Sequence, residues 1–185
     1  ALYTREFFAE VDRALADDGV FALWLNLFRT DIEAIRAVLR TLTGAFPRVQ
    51  GFIAENTSLV LVASRSELGW GPALERRLPR LRRHLRPFGL HEVEGLATVL
   101  EMDTAAARAL AEGGRVVADD RPLLEFRLAG LSRSSAVRAP QLDHHLAPAP
   151  WWSRAFARRW DAGGRAAALT RRIERVVNRP AALER

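Results

Sequence analysis

The chain of 185 residues contains no cysteine and no lysine, and it has only one methionine and one tyrosine. Without cysteine it can form neither a disulfide nor a thiolate metal site, and it has no cysteine nucleophile. The longest apolar run, VFALWLNLF (20–28), is too short for a membrane-spanning helix, which needs about 20 residues. With 49% hydrophobic residues, the composition predicts a globular domain with a packed core in a reducing, cytoplasmic compartment.

All 28 basic residues other than histidine are arginine, and the formal net charge is +6. A positive net charge ordinarily favours an anionic partner. Here, however, arginine without lysine, together with abundant alanine, is typical of a GC-rich genome. The arginines are also spread over 5–185 rather than gathered in one stripe. We therefore expect no nucleic-acid binding, and an arginine-rich nucleic-acid binder is the less favoured alternative.

The first 65 residues alternate between helix and strand patterns. Residues 4–16 predict a helix capped by Thr4, and 20–26 predict a strand buried on both faces, as in a parallel sheet. A helix with Thr30 as its cap follows, and then two strands, RVQGFIAE and SLVLVASR, that predict an antiparallel pair. This order is that of the second half of a doubly wound α/β domain.

The pattern becomes irregular after residue 70. WGPALERRLPRLRRHLRPFG predicts two short helices, because Pro79 should break a single one. Asp103 caps a predicted helix closed by Gly113 and Gly114. We expect one α/β domain over 1–130, a linker or irregular wrap over 131–150 and an arginine-rich helical tail over 151–185. The aromatic stripe of this tail packs on the domain in our interpretation and consists of Trp151, Trp152, Phe156 and Trp160.

The stretch ADDRPLLEF (118–126) is the strongest candidate site. Asp119 and Asp120 stand before a proline, which favours a turn in which an aspartate accepts backbone N–H groups. The alternative is that one of these carboxylates faces a pocket and binds a cationic group. The histidines lack the spacing of metal ligands, so we predict no metal site. No glycine-rich phosphate or dinucleotide motif occurs either.

The ordered pieces LYTREFF, VFALWLN and ADDRPLLEF resemble the C-terminal part of the spermidine synthase-like (polyamine aminopropyltransferase-like) family. The resemblance covers residues 2–128. It implies a methyltransferase-like fold in a bacterial enzyme of polyamine biosynthesis. That reaction moves an aminopropyl group from decarboxylated S-adenosylmethionine, a co-substrate, onto an amine.

The resemblance also assigns roles to residues. It implies substrate-binding positions at Tyr3, Trp24, Asn26, Asp119 and Asp120, and it places the nucleoside-binding loop and the proton-accepting acid upstream of Ala1. We therefore expect a fragment with no catalytic residue and no cofactor of its own, inactive by itself.

Two departures favour divergent relatives and leave the amine substrate open. Leu23 precedes Trp24 where the family often has glutamine, and ENTSL (55–59) replaces a tyrosine-containing loop. A homodimer and a fusion to a membrane-spanning N-terminal part are both compatible with the resemblance, and such a fusion would place the chain on the cytoplasmic face of a membrane. A non-catalytic scaffold or dimerisation module with the same fold is the principal alternative.

Overall fold

The computed structural model describes residues 1–27, 30–55, 58–70 and 72–130. Within them the chain forms two compact units: unit 1 contains Ala1–Leu68 and the residues from Glu101 onward, and unit 2 contains Gly69–Leu100. The predicted linker, the helical tail and its aromatic stripe lie outside the described residues. Among the described helices, none combines the length and the apolar character needed to cross a membrane.

The described elements are mixed α and β. In chain order they are α1 (Arg5–Ala14), β1 (Val20–Asn26), α2 (Ile32–Ala45), β2 (Arg48–Glu55), β3 (Ser58–Ser64), α3 (Pro72–Leu85), a 3₁₀ turn (Arg86–Phe88), α4 (Val93–Ala97), β4 (Leu100–Met102), α5 (Thr104–Ala111) and α6 (Leu123–Gly130).

The four strands form one sheet in the order β1-β3-β2-β4. The predicted antiparallel pairing of β2 with β3 is confirmed, with Phe52 opposite Val60. The prediction that β1 lies in a parallel arrangement is wrong, because β1 pairs antiparallel with β3 and places Trp24 opposite Val60. Since β1 and β2 are both antiparallel to β3, they run in the same direction on either side of it.

Strand β1 has the predicted bounds but is not buried on both faces. Its exposure alternates: Phe21 and Leu25 point to the more buried side, whereas Val20, Trp24 and Asn26 are exposed. Alternation of this kind is typical of an antiparallel strand with one solvated face. Because residues 20–25 are all apolar, the sequence pattern alone does not reveal which of the two faces of β1 is buried.

Helices α1, α2 and α5 form the helical layer of unit 1, in which α2 contacts both α1 and α5, and α2 and α5 contact β2. Helix α1 is capped by Thr4, as predicted, and its Phe8 is fully buried. The Phe21 ring on β1 has its centroid 6.2 Å from those of Phe8 and Phe46. This aromatic cluster joins α1, β1 and the end of α2 in one core.

The cap of α2 is Asp31 and not the predicted Thr30. The Asp31 carboxylate accepts from the Ala34 N–H at 2.9 Å. Thr30 instead donates its hydroxyl to the Asn26 carbonyl and so fixes the chain just after β1. Asp31 also receives the Arg127 guanidinium of α6, whose Nε lies 2.9 and 2.7 Å from the two carboxylate oxygens.

We expect Asp31→Ala to lower the free energy of unfolding by about 1–3 kcal/mol, because it removes both the cap and the partner of Arg127. Burial opposes the ionisation of Asp31, but the bonds from Arg127 and Ala34 outweigh it and hold its pKa below the usual value. This contribution is therefore present above the unfolded-state pKa of about 4 and is lost as the pH falls through the lower folded-state pKa.

The matched control for this prediction is Asp103→Ala. Asp103 caps α5 as predicted, accepting from the Ala106 N–H at 2.9 Å, and has no ion pair among the described residues. Urea denaturation at neutral and acidic pH should show that Asp31→Ala costs more than Asp103→Ala, and that this excess shrinks in acid. Equal losses for the two variants at neutral pH would show that Arg127 adds nothing.

In unit 2, α3 is one continuous helix across Pro79, so the prediction of two short helices is wrong. A proline inside a helix removes one backbone hydrogen bond and clashes with the preceding turn. Leu78, next to it, is only 6% exposed. Burial of the Leu78 side chain offsets the cost of a proline inside the helix. Helix propensity does not include this tertiary contribution, so it does not predict the continuous helix.

Candidate functional site

The cap of α1 fixes the N-terminal segment 1–4. The Thr4 hydroxyl accepts from the Phe7 N–H at 3.2 Å and donates to the Ala1 carbonyl at 3.1 Å, and Thr4 is completely buried. Tyr3 adopts a left-handed conformation with φ 66°. For a bulky side chain this conformation costs on the order of 1–3 kcal/mol. The segment is therefore held in one strained conformation by the surrounding fold.

Asp119 and Asp120 occupy the two central positions of a β-turn. The Arg121 N–H donates to the Ala118 carbonyl at 2.9 Å and closes this turn. Both aspartates are exposed. A turn at the predicted place is confirmed, although a backbone carbonyl and not an aspartate side chain accepts its closing N–H, and it leaves both carboxylates accessible to solvent.

The aspartate turn is docked on the start of α1 by three hydrogen bonds. The Arg5 N–H donates to the Val117 carbonyl at 2.8 Å, and the Asp119 N–H donates to Glu6 Oε2 at 3.0 Å. The Ala1 nitrogen donates to Asp119 Oδ1 at 2.9 Å. Through this third bond, Asp119 fixes the N-terminal segment 1–4.

Around this contact, acidic groups outnumber basic ones. Glu6, Asp119 and Asp120 contribute three carboxylates against two guanidinium groups, that of Arg5 and that of Arg121, the last residue of the turn. The hydrogen bond from Arg5 holds the pKa of Glu6 below its usual value. The local charge therefore favours a cationic ligand.

The other three predicted substrate-binding residues are on β1 or contact it: Trp24 and Asn26 belong to the strand, and Tyr3 reaches it from segment 1–4. The Tyr3 hydroxyl donates to the Trp24 carbonyl at 3.3 Å, and burial raises the pKa of this phenol. Trp24 and Asn26 share the exposed face of β1 because they are two residues apart on a strand. Their cross-strand neighbours are Val60 and Ser58.

Segment 1–4 connects the two groups of predicted residues. Its first residue, Ala1, reaches Asp119, and its third, Tyr3, reaches Trp24. The sequence did not single out Ala1 or Glu6 as members of the site. A glutamate in the first turn of a helix is ordinarily explained by the helix dipole, so nothing local indicated that Glu6 accepts from Asp119.

A separate groove of about 300 Å³ lies on unit 1 between α1 and α2. Its polar lining is mainly basic, and its one acid, Asp12, is already paired with Arg65 at 2.8 Å. This groove contains none of the five predicted residues and does not suit an amine. Its lining residues are Arg5, Ala9, Asp12, Arg40, Thr41, Gly44, Ala45 and Val116.

Comparison with known proteins gives no neighbour: no family model, no curated protein and no solved structure matches the chain. Across the described part of the chain, no three histidine or acidic side chains converge in a way that could hold a metal ion. The site is thus defined by its own contacts, namely an acidic turn docked on the start of α1 and a strained segment that links this turn to β1.

Proposed function

We propose that this chain is the C-terminal part of a spermidine synthase-like transferase, which moves an aminopropyl group from decarboxylated S-adenosylmethionine to an amine. In this proposal the chain supplies the wall that binds the amine. The observation that carries the proposal is the exposed turn of Asp119 and Asp120, which is docked on α1 at a place where carboxylates outnumber cations. The methyltransferase-like fold is part of the proposal, and it is supported by β1 and β2, which run in the same direction on either side of the antiparallel β3.

Charge decides which end of the amine binds here. A carboxylate next to an amine favours its protonated form, and a protonated nitrogen has no lone pair for attack. Asp119 therefore binds the ammonium that does not react. The exposed indole of Trp24 provides a π-face on which a cationic or apolar part of the substrate can lie.

The reacting nitrogen must be neutral when it attacks the propyl carbon next to the sulfonium. The new C–N bond forms as the C–S bond breaks, and the thioether leaves with the bonding electron pair. The nitrogen then loses a proton to a base. The resemblance places this base upstream of Ala1, so we assign none of the described carboxylates to that step. In this chain, Asp119 and Asp120 bind and orient the amine.

The proposal predicts that Asp119→Asn weakens the binding of a diamine such as putrescine by roughly tenfold to a hundredfold, because a charge-assisted contact is lost. Asparagine keeps the shape and most of the hydrogen bonds of the turn, so thermal stability should barely change. Calorimetric titration with the diamine and thermal melting measure the two effects. Unchanged affinity in both Asp119→Asn and Asp120→Asn would reduce the motif to a structural turn.

One control separates charge from structure. Asp119→Ala removes the side-chain acceptor as well as the charge, so it should cost stability where Asp119→Asn does not.

One observation favours the second candidate function, a non-catalytic scaffold or dimerisation module. Val20 and Trp24 are each 56% exposed on β1, whose one pairing among the described residues is with β3. An edge strand with exposed apolar side chains is suited to pairing with another chain. A scaffold would retain this edge but would transfer no aminopropyl group, so activity distinguishes the two candidates.

A further inference from the structure

Unit 2 contains an open groove of about 710 Å³ at the C-terminal end of α3. Three arginines and two prolines line it, and all five residues are exposed: Pro79, Arg82, Arg83, Arg86 and Pro87. We call it the arginine groove. No carboxylate is among its lining residues.

The three arginines have no ion-pair partner among the residues that the structure describes. The nearest acids in the sequence, Glu75 and Glu92, line a neighbouring pocket that Arg82 also lines. Arg83 and Arg86 do not line that pocket. The arginine groove thus gathers three guanidinium groups with no carboxylate in its own lining.

The helix dipole explains only part of this arrangement. The C-terminus of a helix carries about half a negative charge, so one basic residue in the last turn of α3 is favourable. Three full charges exceed that half charge several times over. The excess positive charge remains available to a ligand. The two prolines that border the groove have no backbone N–H and a fixed φ.

We propose that the arginine groove binds a phosphate-bearing anion. A guanidinium offers a planar fork of donors that matches two phosphate oxygens, and several arginines together suit a doubly or triply charged group. The phosphate comes from one of two sources, a soluble phosphorylated compound or the headgroup of an anionic phospholipid. This site lies within unit 2 and does not depend on the proposed transferase function.

The surroundings of the groove suit both sources. Phe88, 65% exposed, follows Pro87 directly, and Leu81, 49% exposed, precedes Arg82. Apolar side chains beside arginines can enter the headgroup region of a membrane surface, and they can equally contact the organic part of a soluble phosphate ester. The experiment must therefore present both kinds of phosphate.

The test uses the whole chain and inorganic pyrophosphate as the probe. Calorimetric titration should show saturable binding, and the triple variant R82Q/R83Q/R86Q should lose roughly a hundredfold or more in affinity. The matched control is R76Q/R77Q/R80Q, which removes the same number of charges from the earlier turns of α3, at residues that do not line the groove. It should lose less than about threefold, as expected for a screened electrostatic effect. Equal losses in the two triple variants, or no saturation in the wild type, would overturn the proposal.

Arginine side-chain NMR on the wild-type chain needs no variant and so does not depend on whether the triple variant folds. Pyrophosphate should shift the Nε–H signals of Arg82, Arg83 and Arg86 and leave those of the control arginines in place. Uniform shifts over both sets would contradict a defined groove.

Vesicles and duplex DNA identify the source. If phosphatidylcholine vesicles bind the chain only when they contain phosphatidylserine, and R82Q/R83Q/R86Q abolishes this binding, the phosphate belongs to a lipid headgroup. If pyrophosphate binds and these vesicles do not, the ligand is a soluble phosphate compound. The third outcome is that duplex DNA binds more tightly than pyrophosphate and that both triple variants weaken this binding equally. It would contradict a defined site at the groove and indicate a diffuse surface for polyanions.

Discussion

Replacing Phe8 with alanine should lower the free energy of unfolding of unit 1 by about 3–5 kcal/mol. Phe8 is fully buried, and its ring centroid lies 5.5 Å from that of Phe7 and 6.2 Å from that of Phe21. Alanine would therefore remove apolar contacts to both α1 and β1 and leave a cavity that the helix cannot fill. The loss should be among the largest for any single side chain of the chain.

The control is Leu2→Ala, which also truncates an apolar side chain of unit 1, at a residue that is 64% exposed. It should change stability by less than about 0.5 kcal/mol. Urea denaturation followed by circular dichroism measures both variants. Losses of similar size would show that α1 is not anchored through Phe8. Since α1 carries Glu6 and follows the segment that reaches Asp119, Phe8→Ala should also weaken diamine binding.

Replacing Gly95 with alanine should destabilise unit 2 by about 3 kcal/mol, at the upper end for overpacking. A Cβ at this position would lie 2.0 Å from the Gly89 carbonyl oxygen and 3.2 Å from Leu90 Cα. Both are backbone atoms, so no side-chain rotation can relieve the overlap. Gly89 itself has φ 67°, which limits how far this part of the chain can move without strain.

Gly44→Ala provides the contrasting case. Gly44 is also helical, but a Cβ there meets nothing within 4 Å. Alanine should therefore stabilise α2, by about 0.5–1 kcal/mol, through its better helix propensity. Thermal melts of the two variants should move in opposite directions. A destabilised Gly44→Ala, or a Gly95→Ala that melts like the wild type, would contradict the packing described here. Loss of unit 2 should also abolish pyrophosphate binding at the arginine groove.

Local sequence signals predict the elements of unit 1 well. The caps at Thr4 and Asp103 and the bounds of β1 follow from side chains within one or two turns of the backbone groups that they satisfy. The pairing of β2 with β3 follows from two strand patterns separated by a short connection. Each of these features depends on neighbours in the sequence.

The features that the sequence did not predict depend on distant contacts. The position of β1 beside β3 brings Trp24 to Val60, and the run of apolar letters from 20 to 26 does not distinguish one buried face from two. Helix α3 continues through Pro79, although local propensity opposes it. The short elements α4 and β4 are too brief to produce a periodic pattern of their own.

The candidate site shows the same division. The turn at Asp119 and Asp120 was predictable from Asp-Asp-Arg-Pro, because its closing hydrogen bond is local. Its docking on Glu6 spans 113 residues, and no spacing in the sequence indicates that contact. Arginine is spread over the whole chain, so the sequence does not indicate a local basic surface. The structure gathers three arginines around one groove in unit 2, and none of them has an ion pair among the described residues.

The most direct test of the proposed function is a transfer assay with this chain joined to the upstream half that the proposal requires. Decarboxylated S-adenosylmethionine and a panel of di- and polyamines are supplied, and products are followed by mass spectrometry. The account predicts equal amounts of an aminopropylated amine and methylthioadenosine. It also predicts that Asp119→Asn raises the KM for the amine roughly tenfold to a hundredfold with little change in kcat. Absence of product with every amine, from a protein that is folded and binds decarboxylated S-adenosylmethionine, would contradict the account and favour the scaffold.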